Sequence, residues 1–395
     1  MAADDHQYPD PTVDVVTAAM RLAPLILAAR EEGEQIRRVP PRVAKALAAA
    51  GLLQMFLPRS MGGPELDPLT VFSAIEEISK ADGSIGWCAM IATDVSYFLG
   101  WVPAEIGRQF SGQPADFRGA GSLRPLGRAY PVDGGYRVRG RWNFASGIDY
   151  ANRLYCPCIV MDGDKPQLTE AGPPRVRAMW LSPDQATIKD TWSVVGMRGT
   201  GSQDFVVNDV FVPDAHTCFL GEPAAERGPL YHPRLVIVTL FSLAAANSLG
   251  IARGAVEAFI DLASSENSTA STTVLRERPF VQARLGKAEA ILNAARAYVV
   301  DSVITLWDVV CNGTSDPSIA IAQARLAIVH AMHEAVRSVD LVFHAAGTNA
   351  IYCRNPLERY FRDIHVAVQH NSAFPAQYES AGKVLMGLRP ADMGW

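Results

Sequence analysis

From Leu235 to Ala252 the chain reads "LVIVTLFSLAAANSLGIA", 18 residues without a charge. A run this apolar cannot face water, so it dictates its own surroundings. Its length is about the lower limit for a membrane span, roughly 17–25 residues. Thr239, Ser242, Asn247, Ser248 and Gly250 interrupt it, however, and buried polar groups need partners. The stretch therefore reads as a helix buried on all sides in a helical assembly, with no membrane span.

The remaining pattern is helices, then strands, then helices. Residues 12–110 carry helical periodicity, with Asp67 as a cap ahead of Pro68 and a nearly all-apolar "SIGWCAMIATDVSYFLGWV" after Asp82–Gly83. From about 115 to 215, glycine, proline and short β-branched runs mark closely spaced strands. Long helices are expected again over 234–264, 280–311, 316–346 and 356–387, with Asn355, Pro356 and Glu358 as a capping box for the last. No β–α alternation is present, which argues against a Rossmann sheet. The expected class is α+β: an N-terminal helical domain over 1–114, a small β-barrel domain over 115–220 and a C-terminal four-helix bundle over 221–395.

Charge and cysteines narrow the partners. The net charge is −5 and no basic run occurs, so no nucleic-acid partner is expected. The six cysteines are scattered, and "CPC" at 156–158 lacks metal-ligand spacing. They read as reduced thiols of a cytoplasmic protein, and no metal site is expected. The opening "MAADDHQYPDPTVD" is acidic and polar, unlike a signal or transit peptide.

In "YRVRGRWNFASG" the alternation places Arg137, Arg139 and Arg141 outward, and Tyr136, Val138, Gly140, Trp142, Phe144 and Ser146 together on the other face. Ser146 is then either a satisfied core hydroxyl or a hydrogen-bond donor to a planar ligand. In "WSVVGMRGTGSQDFVVNDVFVP", Gly196, Gly199 and Gly201 surround Arg198, so the backbone turns sharply between two strands.

These two motifs and the order of domains resemble the acyl-CoA dehydrogenase superfamily over roughly residues 15–390. There, such a strand and turn lie beside a flavin. Its dehydrogenases follow arginine–aspartate, here Arg362–Asp363, with a glutamate that removes the substrate's α-proton. This chain offers His370, Asn371 and Ser372 at that place. A histidine there resembles the two-component flavin-dependent monooxygenases of the same fold, as do "ADGSIGW", "AGSLRPLGRA" and "RERPFVQARLGKAEA". One departure is the helix after "GSIGW". Several of those oxygenases carry a histidine in it, whereas this chain has Thr93, Asp94 and Ser96.

The resemblance implies an oxygenase component that uses reduced flavin (FMNH2 or FADH2) and O2 to hydroxylate an aromatic small molecule through a flavin hydroperoxide. It also implies a separate NAD(P)H:flavin reductase and a homotetramer, the latter supported by the apolar demand of Leu235–Ala252. It assigns His370 as base and Ser146 near flavin N5, with Trp142 and Phe144 flanking the ring. Ser122, Leu123, Pro125, Arg198, Gly199, Thr200 and Ser202 are assigned to the flavin, and Arg276 or Arg278 to the phosphate of a neighbouring subunit's flavin. Trp87, Asp94 and Asn371 are assigned to the substrate pocket. An acyl-CoA dehydrogenase and a non-catalytic helical scaffold of the same fold stay open as alternatives.

Overall fold

A computed structural model describes residues 14–112, 116–170, 172–219, 221–265, 274–313 and 316–390. Residues 12 and 13 of the expected helical segment, and the boundary positions 114, 115 and 220, lie outside the described residues. The first part contains α1 (Val15–Ile36), α2 (Pro41–Ala49), α3 (Pro68–Ala81), α4 (Gly83–Tyr97) and α5 (Ala104–Ser111). The Asp67 carboxylate accepts from the Leu69 and Thr70 amides ahead of Pro68. The Asp82 carboxylate accepts from the Ile85 amide, so one capping residue turns α3 into α4.

The sheet region runs β1 (Gly119–Gly121), β2 (Gly127–Val132), β3 (Gly135–Ala145), β4 (Arg153–Asp162), β5 (Lys165–Pro166), β6 (Val176–Leu181), β7 (Thr187–Lys189), β8 (Gln203–Pro213) and β9 (Thr217–Cys218). Its ladder order is β7-β8-β3-β2-β4-β6-β9, with β1 and β5 both on β4. The expected barrel is thus an open sheet. Its edge strands β7 and β9 are three and two residues long, too short to close a ladder on each other.

The last part contains α6 (Val236–Ser265), α7 (Pro279–Asn312), α8 (Ser318–Ala346), α9 (Pro356–Ala367) and α10 (Ala376–Leu385). The uncharged run lies in α6, which packs on α3, α4, α8 and α9. This helix is long and apolar enough to cross a membrane, but its apolar stretch is 89% buried within the protein. Its interruptions are contacts. The Asn247 amide donates to Ser79 Oγ and to the Gly83 carbonyl, each at 2.9 Å. A Cβ on Gly250 would sit 2.4 Å from the Glu76 carbonyl oxygen. One chain therefore satisfies the run's apolar demand, and the argument from it to a tetramer does not hold.

Two further expectations change. Asn355 caps α9 by accepting from the Leu357 amide, but the Glu358 carboxylate turns to Arg362 and does not complete the box. The expected helix over 356–387 is broken between α9 and α10. His370 has extended backbone there (φ −69°, ψ 149°), and Pro375 disfavours helix at Phe374.

Candidate functional site

The sheet end carrying "RWNFASG" departs from strict alternation. Trp142 pairs with Phe205 and Ala145 with Gln203, so β3 holds one extra residue across that interval. Phe144 is bulged, with φ +61°, and 55% of it is exposed. Ala145 takes the inward place expected for Phe144. Trp142 is wholly buried in the sheet's core, stacked on Phe205 at 5.1 Å and donating from Nε1 to the Pro157 carbonyl. Trp142 is therefore a core residue, and of the two expected ring neighbours only Phe144 lies at the surface.

An aromatic residue at positive φ costs about 1–3 kcal/mol and persists where its surroundings hold it there. Met197 is the second strained residue at this end, with φ +54°. Both meet Trp192, whose ring stands edge-on to Phe144 at 6.2 Å and whose Nε1 donates to the Met197 carbonyl at 3.1 Å. The loop between β1 and β2 covers the same sheet end, with Ser122 buried and Leu123 and Pro125 exposed.

The Ser146 hydroxyl is buried and lies 2.7 Å from Ser202 Oγ, which lies 2.7 Å from Thr200 Oγ1. Thr200 Oγ1 donates to the Met197 carbonyl at 2.9 Å, and that carbonyl can only accept. Ser202 must then donate to Thr200, and Ser146 to Ser202. The chain of hydroxyls has one polarity, and it leaves Ser146 Oγ with free lone pairs. Ser146 Oγ can thus accept a further hydrogen bond but has no proton left to donate, which removes the donor alternative.

The turn before β8 is clamped from two sides. A Cβ on Gly196 would lie 2.3 Å from the Arg362 carbonyl oxygen in α9, and Asp363 accepts from the Met197 amide. Arg198 faces Glu34 of α1 at 3.9 Å, and Arg359 and Arg362 reach the same carboxylate at 2.8 and 2.7 Å. Burial, with Asp82 nearby, raises the Asp363 carboxyl to about 7. Gly199 is buried against Ser84.

Helix α4 joins this turn to the histidine. Cys88 Sγ donates to the Thr200 carbonyl at 3.3 Å, and the neighbouring Trp87 ring stands edge-on to His370 at 5.4 Å. Phe241 of α6 closes another side of the imidazole at 5.9 Å. Burial lowers the His370 pKa to about 4, so the ring is neutral near pH 7. Ser372 Oγ donates to Met332 Sδ at 3.2 Å and lies 2.8 Å from His370 Nδ1. The Ser372 amide also donates to Nδ1 at 3.4 Å, so both the hydroxyl and the amide of Ser372 meet that nitrogen, and the roles of the two ring nitrogens follow from the tautomer.

Of the other expected residues, Asp94 lies buried on α4, while Asn371 is exposed on the short turn after His370. Arg276 and Arg278 sit at the turn before α7, which packs on α6 and α7. Sequence reasoning missed Trp192 and Phe241, and it named Ser372 for its place without a role toward His370. Only Ser372 carried a signal, since a hydroxyl two residues after a loop histidine can reach its ring.

An exposed aromatic plate, a buried hydroxyl with free lone pairs and a half-buried neutral imidazole fit a flavin with a ring substrate beside it. Residues 16–101 match the acyl-CoA dehydrogenase N-terminal domain and residues 242–374 its C-terminal domain. The chain is 32% identical to the indole-3-acetate monooxygenase of Pseudomonas putida, over 91% of this chain and 90% of that one. It is 28% identical to a flavin-dependent monooxygenase oxygenase subunit of Mycobacterium tuberculosis, over 96% of each. The solved 3-HSA hydroxylase of a Rhodococcus species superimposes with a TM-score of 0.87 at 28% identity, over 98% of this chain and 100% of that one. The chain belongs to the acyl-CoA dehydrogenase family, in its branch of flavin-dependent monooxygenases. It is an oxidoreductase whose cofactor is flavin and whose co-substrate is oxygen.

Proposed function

We propose that this chain is the oxygenase half of a two-component system, that it hydroxylates an aromatic small molecule, and that His370 and Ser146 carry the site's chemistry. A separate NAD(P)H-dependent reductase supplies the reduced flavin, FMNH2 or FADH2. When bound, the reduced flavin supplies the electrons that activate oxygen. Ser146 Oγ is the acceptor for a ring N–H, which reduced flavin carries at N5. Phe144, Leu123 and Pro125 offer the surface against which the ring lies. The neutral His370 imidazole takes the proton of a substrate hydroxyl, which makes the ring more nucleophilic. Trp87 and Phe241 keep water from that transfer.

The observation that supports this reading best is the neutral imidazole held between Trp87, Phe241 and Ser372, in the place where a dehydrogenase needs a carboxylate. The carboxylates of α9 are committed, Asp363 to the Met197 amide and Glu358 to Arg362. The test is a stopped-flow mix of protein and reduced flavin with oxygen, with and without a phenol. An absorbance transient between reduced and oxidised flavin, ending in hydroxylated phenol, is expected. Anaerobic bleaching of oxidised flavin by an acyl-CoA would overturn the reading.

The same reading takes the protein as cytoplasmic and as a homotetramer. Support for assembly comes from Phe280, Ile304 and Ile319, large apolar side chains of α7 and α8 that are 57%, 40% and 54% exposed in the single chain. Sedimentation at micromolar concentration tests it, and a stable monomer would remove it.

A further inference from the structure

Four carboxylic acids of the described residues are buried: Glu76, Asp82, Asp94 and Asp363. Three have partners. Glu76 pairs with Arg296 at 2.8 Å, Asp82 caps Ile85, and Asp363 holds the Met197 amide. Asp94 is 5% exposed, and its Oδ1 has no hydrogen-bond partner. Tyr97 donates to the Leu230 carbonyl and Ser96 to the Thr93 carbonyl, both at 2.7 Å, while the adjacent Thr93 Oγ1 is, like Asp94 Oδ1, buried without a partner. A buried polar group without a partner is costly, so a ligand is its natural complement.

The position within α4 says which ligand. Trp87 and Ile91 are the only residues of this helix that are not buried. At about 100° per residue, positions 87, 91 and 94 fall on one narrow face. Trp87 is the residue against which His370 stands. The face therefore runs from the histidine to Asp94, about 10 Å along the helix axis, which is the length of a fused ring system. Phe98, one turn beyond Asp94, falls on the same line and stacks on Tyr155 at 4.5 Å.

We propose that Asp94 selects the substrate, accepting a hydrogen bond from an N–H or amino group at the end of a fused aromatic molecule whose other end meets His370. Burial holds the Asp94 carboxyl well above the usual carboxylate range. A protonated carboxyl accepts through one oxygen, and an ionised one through both. A donor on the ligand is matched in either state, whereas an anionic group at that end is matched in only one. The idea rests on the aromatic-substrate reading of the same site.

The test uses two naphthols of equal shape, 6-amino-2-naphthol and 6-methyl-2-naphthol, with binding read from their fluorescence and needing no flavin. Wild type should bind the amino compound at least tenfold more tightly. Asp94→Leu should invert that order, because an amine then meets only apolar atoms. Asp94→Asn should keep a smaller preference, since its amide oxygen still accepts. The proposal is overturned if wild type favours the methyl compound, if the preference survives in Asp94→Leu, or if neither naphthol binds. Should Asp94→Leu not fold, the wild-type ratio and the Asp94→Asn ratio still decide. Failure here leaves the reduced-flavin transient intact, so the two readings fail separately.

Discussion

The His370 imidazole offers a measurement that a surface histidine cannot imitate. Its pKa is lowered from the ordinary 6.5 to about 4 by burial. At about pH 6 an ordinary imidazole is roughly three-quarters charged, whereas His370 is about 1% charged. Single-turnover hydroxylation, started from chemically reduced flavin so that no reductase contributes, should then stay level from about pH 8 to about pH 5. Its half-loss should come near the lowered pKa. His370→Asn should cut turnover by roughly 10²-fold across the range. Stability follows the same group. A lowered pKa means that the unfolded chain binds the extra proton, so the contribution is full above 6.5 and is lost as pH falls toward 4. The loss is up to about 3 kcal/mol at about 1.4 kcal/mol per pH unit. Asp363, raised from 3.8 to about 7, has the opposite sign: its contribution is full below 3.8 and is lost as pH rises through 7. Urea titrations of wild type and His370→Asn separate the two. A half-loss of hydroxylation near pH 6.5 would refute the burial argument, and equal acid slopes for the two proteins would refute the linkage.

Ser202→Ala breaks the hydroxyl chain behind Ser146, so product per oxygen consumed should fall and hydrogen peroxide rise, as for Ser146→Ala; unchanged coupling in both would make the chain a core feature. Each costs on the order of 1 kcal/mol in stability, too little to unfold the protein. Phe144→Gly should keep the melting temperature or raise it, because glycine adopts φ +61° without strain, yet weaken reduced-flavin binding about tenfold; lower stability with unchanged flavin affinity in a titration would sink this reading. Gly196→Ala should destabilise by about 1–3 kcal/mol in urea, since its Cβ meets the backbone of α9 at 2.3 Å, and a neutral effect would show the clamp to be loose.

What could be read from the sequence follows from how local each signal is. Helix starts at Asp67–Pro68 and Asn355–Pro356 are set within a few residues, and both stand as expected. The burial of Leu235–Ala252 follows from composition alone. Features that need two distant segments were out of reach. The bulge that turns Phe144 outward depends on the register between β3 and β8, which no stretch of either strand encodes by itself. Trp142 and Phe144 share a parity in the sequence, yet the extra residue sends one into the core and the other to the rim. The direction of the Ser146 hydrogen bond is settled only at the far end of its chain, where the Met197 carbonyl forces every hydroxyl to point the same way. Asp94 sits between these cases. Its place on the helix was evident from the sequence, but its significance comes from the lack of a partner for its Oδ1, which only the packed structure displays. A site is thus read most easily where one residue carries its meaning, and least where the meaning lies in which neighbours are already engaged.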